Sequence, residues 1–431
     1  MPITNPVVVP AGLPALDPDS ARHGQAVQAY LIKQIEQSES WGFMPFDQWM
    51  NLALYAPGLG YYAAGSAKFG GVSAQGDFAT APELTPVFGQ ILARQVAQVL
   101  RASDSVHVLE FGAGSGALAA VVIASLRAMD IDPIYQILEV SGELRARQQE
   151  RLAEFGSRVQ WLDALPVEFS GCVLANEVLD AMPVTLFRWG DDATVFEVGV
   201  SLGYDRGEDG GISLRHRRAG GIQASLGRAR LDESDRAGAS GSPFMLTERQ
   251  ASARLQQAVA QRMEPLPEYQ SEINFQAEAW IAQMGTWLKR GAALLIDYGF
   301  PRREYYHPQR TSGTLMCHFR HHAHSQPLIY AGLQDITSHV DFTALADAAL
   351  ASGLDVLGYT SQARFLINAG LGDLLSQFNP ENALEHARMI APIQKLISEA
   401  EMGELFKVLA IGRDIEQPLM GFATGDRRPR L

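Results

Sequence analysis

Hydrophobic and polar positions follow two rhythms along this chain, and the change of rhythm marks its organisation. Over 22–41 apolar side chains recur at helical spacing (Val27, Tyr30, Leu31, Ile35). A second stripe (Phe46, Trp49, Met50, Ala53, Leu54) breaks at Pro57-Gly58, and a third runs through Leu84, Val87, Phe88, Ile91, Leu92 and Val96. From residue 106 short apolar runs take over. They predict strands at 106–111, 134–140, 159–162 and 172–175, with helices at about 117–129 and 142–154. Strands that alternate with helices pair in parallel through right-handed crossovers. Alternation at 195–200 predicts antiparallel strands, and 205–243 reads as a long Gly- and Arg-rich excursion. Helical spacing returns near 272–290, and 292–299 is a fifth strand. A long loop with several histidines is expected over 300–340, then a helix capped by Asp341, then strands at 355–359 and 406–411.

This order predicts an α/β chain. Residues 1–25 form an extended tail, and 26–100 a helical region with a Gly-rich loop. The α/β core occupies 101–190, an inserted β-rich lobe 191–270, the second half of the core 271–415, and a tail 416–431.

Composition narrows the partners. Of 431 residues 47% are apolar and 19% charged, which is ordinary globular usage and excludes wholesale disorder. The net charge of −13 disfavours nucleic acid and anionic lipid. Two cysteines make neither a disulfide framework nor a spaced Cys zinc site. There is no apolar run near the ~18 residues that a membrane span needs. The first basic residue is Arg22, and prolines interrupt the early apolar stretches, unlike a signal or transit peptide. The expectation is a cytoplasmic chain without membrane insertion.

The candidate chemistry starts at Gly112-Ala113-Gly114-Ser115-Gly116, at a strand-to-helix turn. Glycine there lets backbone approach a ligand closely. The string also fits a dinucleotide fingerprint, which alone is weak. Three acids tilt the reading: Glu110 before the loop, Glu139 ending the second strand, and Asp163 after the third. They suit S-adenosylmethionine, which has no pyrophosphate but has an α-ammonium, two ribose hydroxyls and an adenine amine. Glu110 would meet the ammonium, directly or through water. Glu139 would accept from the ribose, and Asp163 from the adenine amine, with Leu162 or Trp161 packing the ring. A nicotinamide oxidoreductase is disfavoured by Glu110 and by the lack of a proton relay.

Longer strings carry a resemblance. They are Gly76-Asp77-Phe78-Ala79-Thr80-Ala81-Pro82-Glu83, Glu110-Phe111-Gly112-Ala113-Gly114-Ser115-Gly116, Leu138-Glu139-Val140-Ser141, Ala175-Asn176-Glu177-Val178-Leu179-Asp180-Ala181-Met182-Pro183-Val184 and Leu295-Ile296-Asp297-Tyr298-Gly299. In order and content these resemble the MidA-like family of class I methyltransferases, whose members include an arginine-methylating assembly factor of mitochondrial complex I. The resemblance runs from about residue 40 to 412. It implies a Rossmann-like seven-stranded sheet with added N-terminal helices and a small β-containing substrate lobe. It also implies methyl transfer from S-adenosylmethionine, leaving S-adenosylhomocysteine. The acceptor it implies is a protein arginine, dimethylated symmetrically, on a complex I subunit.

On this reading Glu177 and Asp180, three apart on a helical turn, share a face and clamp the planar guanidinium. Asn176 lies beside them at the strand end and completes the catalytic set, and with Val140 it is also assigned to the donor. Asp77, Phe78 and Thr80 would belong to a lid with glycine hinges over the donor. His307, His318, His321, His322, His324 and His339 lack a helical ligand spacing with a matching acid, so no metal is assigned. The arginines from Arg215 to Arg230 read as a solvated face. A methyltransferase for a small molecule or another side chain, and a non-catalytic donor-binding assembly factor, stay open. Self-association through the aromatic N-terminal helices is also open.

Overall fold

The computed structural model describes residues 9–38, 42–65, 80–206, 212–214, 242–376 and 383–431. Asp77, Phe78 and the Arg215–Arg230 stretch lie outside the described residues. The chain forms two units, each assembled from three separate segments.

One unit joins Met1–Asp77, Pro183–Ile273 and Tyr306–Ser338. Its helix Pro18–Glu36 begins earlier than the apolar spacing suggests, because Asp17 accepts the N–H groups of Asp19 and Ser20 and Pro18 suits a first turn. Val27, Leu31 and Ile35 from this helix join Phe46, Trp49 and Leu54 and the inner faces of the strands Thr185–Trp189 and Val195–Leu202 in one core. The strand Phe244–Gln250 pairs antiparallel with Val195–Leu202. Residues 300–340 are more ordered than a loop. Met316–Phe319 pairs antiparallel with His322–His324 and with Asp335–Thr337. Arg320 and His321 make the turn at φ 47° and 66°.

The other unit joins Phe78–Met182, Asn274–Tyr305 and His339–Leu431. Its sheet runs through β1 (His107–Phe111), β2 (Ile134–Leu138), β3 (Val159–Leu162), β4 (Phe169–Asn176), β5 (Leu288–Phe300), β6 (Asp355–Ser361) and β7 (Phe406–Arg413). The spatial order is β6-β7-β5-β4-β1-β2-β3. β1 to β5 pair in parallel, and β7 lies antiparallel between β5 and β6. The short pair Val340–Asp341 adds onto the end of β5. The expected seven-stranded α/β sheet is thus observed with one short addition.

The helices of this unit are α1 (Pro86–Ser103), α2 (Ala117–Arg127), α3 (Gly142–Arg151), α4 (Phe275–Trp287) and α5 (Phe342–Ala351). Alternate strand residues serve opposite faces. Val108, Leu174, Leu294 and Val408 pack with Ile91, Leu118 and Val122 of α1 and α2. Leu109, Val173, Leu295 and Leu409 pack with Ile281 of α4 and Phe342 and Leu345 of α5. A strand covered on both faces reads as a continuous apolar run, which is why 292–296 of β5 shows no alternation. Residues 416–431 close the outer edge of β6. Arg427 N–H donates to the Tyr359 carbonyl at 2.6 Å, and Thr360 Oγ1 donates to the Gly425 carbonyl at 2.8 Å.

Candidate active site

The ends of β1, β2, β3, β4 and β5 in the second unit carry the candidate residues. In an open α/β sheet, ligands bind beyond the carboxyl ends of the strands. Gly112, Gly114 and Gly116 turn the chain from β1 into α2 at φ 62°, 53° and 81°, a region that side chains disfavour. A Cβ at Gly114 would meet nothing within 4 Å among the described residues, so a ligand can approach the loop there. Ser115 Oγ donates to Glu83, and Arg151 Nη1 donates to Ser115 Oγ at 2.7 Å, which ties the loop to its flanks.

Glu110 ends up beneath the loop, only 2% exposed. Tyr135 OH donates to its Oε2 at 2.7 Å. Burial pushes its carboxyl up to about 7, the Tyr135 hydrogen bond opposes this, and the charge of Glu139 adds to it. Because the folded value exceeds the unfolded one, the folded state keeps this proton longer. Stability from this group is therefore full below about 4.5 and is lost as pH rises through about 7, on the order of 3 kcal/mol. The donor-free protein is expected to melt at lower temperature at pH 7.5 than at pH 5. Glu110→Gln should flatten that slope in a melting series, and an unchanged slope would remove Glu110 as its cause.

Glu139 stands at the end of β2. Ser141 N–H donates to its Oε1 and Gln148 Nε2 to its Oε2, each at 2.9 Å. Burial raises its carboxyl, and these hydrogen bonds oppose the rise. Val140 beside it is 73% exposed. Leu162 is half-buried, and Asp163 is exposed and paired with Arg145 Nη1 at 2.5 Å. Thr80 precedes the helix Ala81–Leu84 and its side chain caps nothing there.

The acceptor-side acids lie beyond β4. The residues from Glu177 to Asp180 do not form the expected helical turn. Glu177 sits at φ 53°, and Asp297 Oδ2 at the end of β5 accepts the N–H groups of Leu179 (3.0 Å) and Asp180 (3.2 Å). A side chain thus takes donors that a helix would have turned to its own carbonyls. Asp297 Oδ1 accepts the Tyr298 N–H at 2.9 Å, and Tyr298 OH donates to Asp180 Oδ2. Asn274 Nδ2 donates to the Leu179 carbonyl at 3.2 Å. Asn176 Nδ2 donates to Glu177 Oε1 at 3.2 Å. Asp180 is 6% exposed, and its Oδ1 has no hydrogen-bond partner among the described residues.

Electrostatics follow from burial. Asp180 is pushed up to about 6, against the Tyr298 hydrogen bond. Asp297, wholly buried, goes well above the usual carboxylate range, first by burial and then by the charges of Asp180 and Glu177. Asp297, Tyr298, Tyr135 and Gln148 were not among the sequence candidates. Asp297 had one signal: an acid closing a continuous apolar strand. Among the described residues no group of three or more His, Cys, Asp or Glu could hold a metal ion, and no helix is long and apolar enough to cross a membrane.

Comparison with known proteins completes the picture. A Burkholderia thailandensis protein solved bound to S-adenosyl-homocysteine is 44% identical, covering 97% of this chain and 100% of its own, with a TM-score of 0.83. A native crystal structure from the same organism is 42% identical, with coverage of 97% and 100% and a TM-score of 0.81. A Drosophila melanogaster relative named "Protein arginine methyltransferase NDUFAF7 homolog, mitochondrial" is 26% identical over 95% of this chain and 92% of its own length. A Danio rerio relative, also named a mitochondrial protein arginine methyltransferase, is 26% identical over 84% of this chain and 82% of its own. These mitochondrial relatives overturn the expectation of a cytoplasmic location, which rested on the N-terminal pattern and the lack of a long apolar run. The model of the family described as "Putative S-adenosyl-L-methionine-dependent methyltransferase" matches residues 91–360, from α1 through β6. The open glycine loop and the Glu139 carboxylate fit such a donor, and the chain belongs to this family of S-adenosyl-L-methionine-dependent methyltransferases.

Proposed function

We propose that the chain methylates the guanidinium of an arginine in a protein substrate, with Glu177 and Asp180 receiving the guanidinium. One observation carries this reading: a buried carboxylate oxygen, Asp180 Oδ1, has no hydrogen-bond partner among the described residues. A buried acceptor is costly to leave unmade, so the site calls for an N–H donor. A guanidinium presents such donors in a planar fork and stays cationic, matching the neighbouring carboxylates of Glu177 and Asp180. The names of the fly and zebrafish relatives support the same acceptor.

The donor supplies a methyl group on a positively charged sulfur. Glu110, the glycine loop, Glu139, Val140, Leu162 and Asp163 are the residues that would hold it, with Asn176 at the junction with the acceptor. Asp180 orients the substrate nitrogen and takes the proton that it sheds, and a value of about 6 suits a base working near neutral pH. Tyr298 and Asp297 hold that carboxylate in place, and positioning supplies much of the rate in an in-line displacement. From the resemblance, symmetric dimethylation of a complex I subunit is the first acceptor to test.

The test incubates the purified protein with labelled S-adenosylmethionine and hypomethylated protein extract, followed by amino-acid hydrolysis. Label in methylated arginine, absent with Asp180→Asn, is the expected result. Label only in lysine or in small molecules would overturn the arginine reading.

A further inference from the structure

Gln148 is a polar side chain with no exposed surface, on the otherwise solvated helix α3. Buried amides are retained where every group finds a partner. Its Nε2 donates to the Gly114 carbonyl at 2.8 Å and to Glu139 Oε2 at 2.9 Å. Its Oε1 accepts the indole N–H of Trp161 at 3.0 Å. One amide therefore spends both N–H groups and its carbonyl on the glycine loop after β1, the acid after β2 and the end of β3. Glu139 accepts from the Ser141 N–H, the Gln148 amide and the Val140 N–H, and with about four acceptor positions on a carboxylate it keeps capacity for a ribose hydroxyl.

We infer that Gln148 is a positioning residue for the donor's ribose: it sets the rotamer of Glu139 against the glycine loop, so that this carboxylate meets the ribose hydroxyls already oriented. The inference rests on reading Glu139 as the ribose acid. Without the amide, Glu139 would have to be ordered by the ligand itself, and that loss falls on ligands that carry the hydroxyls. A purely structural role would weaken every ligand alike.

The experiment measures calorimetric affinities of S-adenosylhomocysteine and its 2′,3′-dideoxyribose analogue for wild type, Glu139→Ala, Gln148→Met and Gln148→Glu. The Met variant keeps the packing volume and removes the donors. The Glu variant keeps the shape, and at neutral pH it sets a like charge against Glu139. Gln148→Met is expected to weaken S-adenosylhomocysteine by about tenfold and the dideoxy analogue by less than about threefold, with Gln148→Glu weaker still for the first ligand only. Equal weakening of both ligands, or wild-type preference retained in both variants, would overturn the positioning role. If wild type and Glu139→Ala bind the two ligands alike, Glu139 is not the ribose acid and the inference falls with it. Melting curves of each variant separate these outcomes from unfolding.

Discussion

Asp180→Asn is expected to lower turnover on an arginine substrate by about 10²- to 10³-fold while leaving S-adenosylhomocysteine affinity within about threefold. The argument is geometric. Tyr298 OH already donates to Asp180 Oδ2. An amide that keeps its single oxygen toward that hydroxyl turns its NH₂ to the place of Oδ1. The substrate's N–H would then face another donor, and the group that accepts the shed proton would be gone. Steady-state kinetics with a methylatable peptide and calorimetry with the donor product separate the two effects. Full turnover in the variant would exclude Asp180 as the acceptor-side acid. Parallel loss of donor affinity would instead assign it to the donor.

The second large effect is one of stability. Asp297→Ala removes the acceptor for three N–H groups, those of Leu179, Asp180 and Tyr298. Buried donors left without partners cost about 1–3 kcal/mol each, so a loss of roughly 3–9 kcal/mol is expected. Asp297→Asn keeps one oxygen for Leu179 and Asp180 and should lose only part of this. Urea unfolding midpoints should therefore fall in the order wild type, Asn, Ala. Activity of the Ala variant should fall further than its folded fraction, because the turn that carries Glu177 and Asp180 loses its anchor. An Ala variant as stable as wild type would contradict the role given to this carboxylate.

These two effects also mark what the chain's pattern discloses and what it conceals. Strands β1 to β7 were legible because each is an apolar run bounded by polar turns, and the glycine loop because its spacing is local. Asp297 stood in plain view at the end of β5, yet its work depends on the backbone of Leu179, 118 positions away. Only the pairing of β4 with β5 makes them neighbours. Gln148 lay hidden for a related reason: in a helix of alternating Arg, Gln and Glu nothing distinguishes a buried amide until three strand ends converge on it. The turn at Glu177 departs from the helical expectation because a side chain, rather than the helix, collects its N–H groups. The small sheet over 316–337 gives no sign in the pattern because its hairpin turns on Arg320 and His321, without the Gly or Asn that usually announces a positive φ.

The interleaving of the two units bears on how the polypeptide can be made. β5 must lie between β4 and β7, but about a hundred residues are translated after Asn176 before Leu288 emerges. At ribosomal rates that is a wait on the order of ten seconds, during which the apolar flank of β4 has no neighbour. β7 and the cover over β6 come later still. Pairings so distant in sequence are slow to form and prone to aggregation, so the nascent chain is expected to depend on holdase chaperones. No contiguous fragment of it holds the donor-binding unit without segments of the other unit.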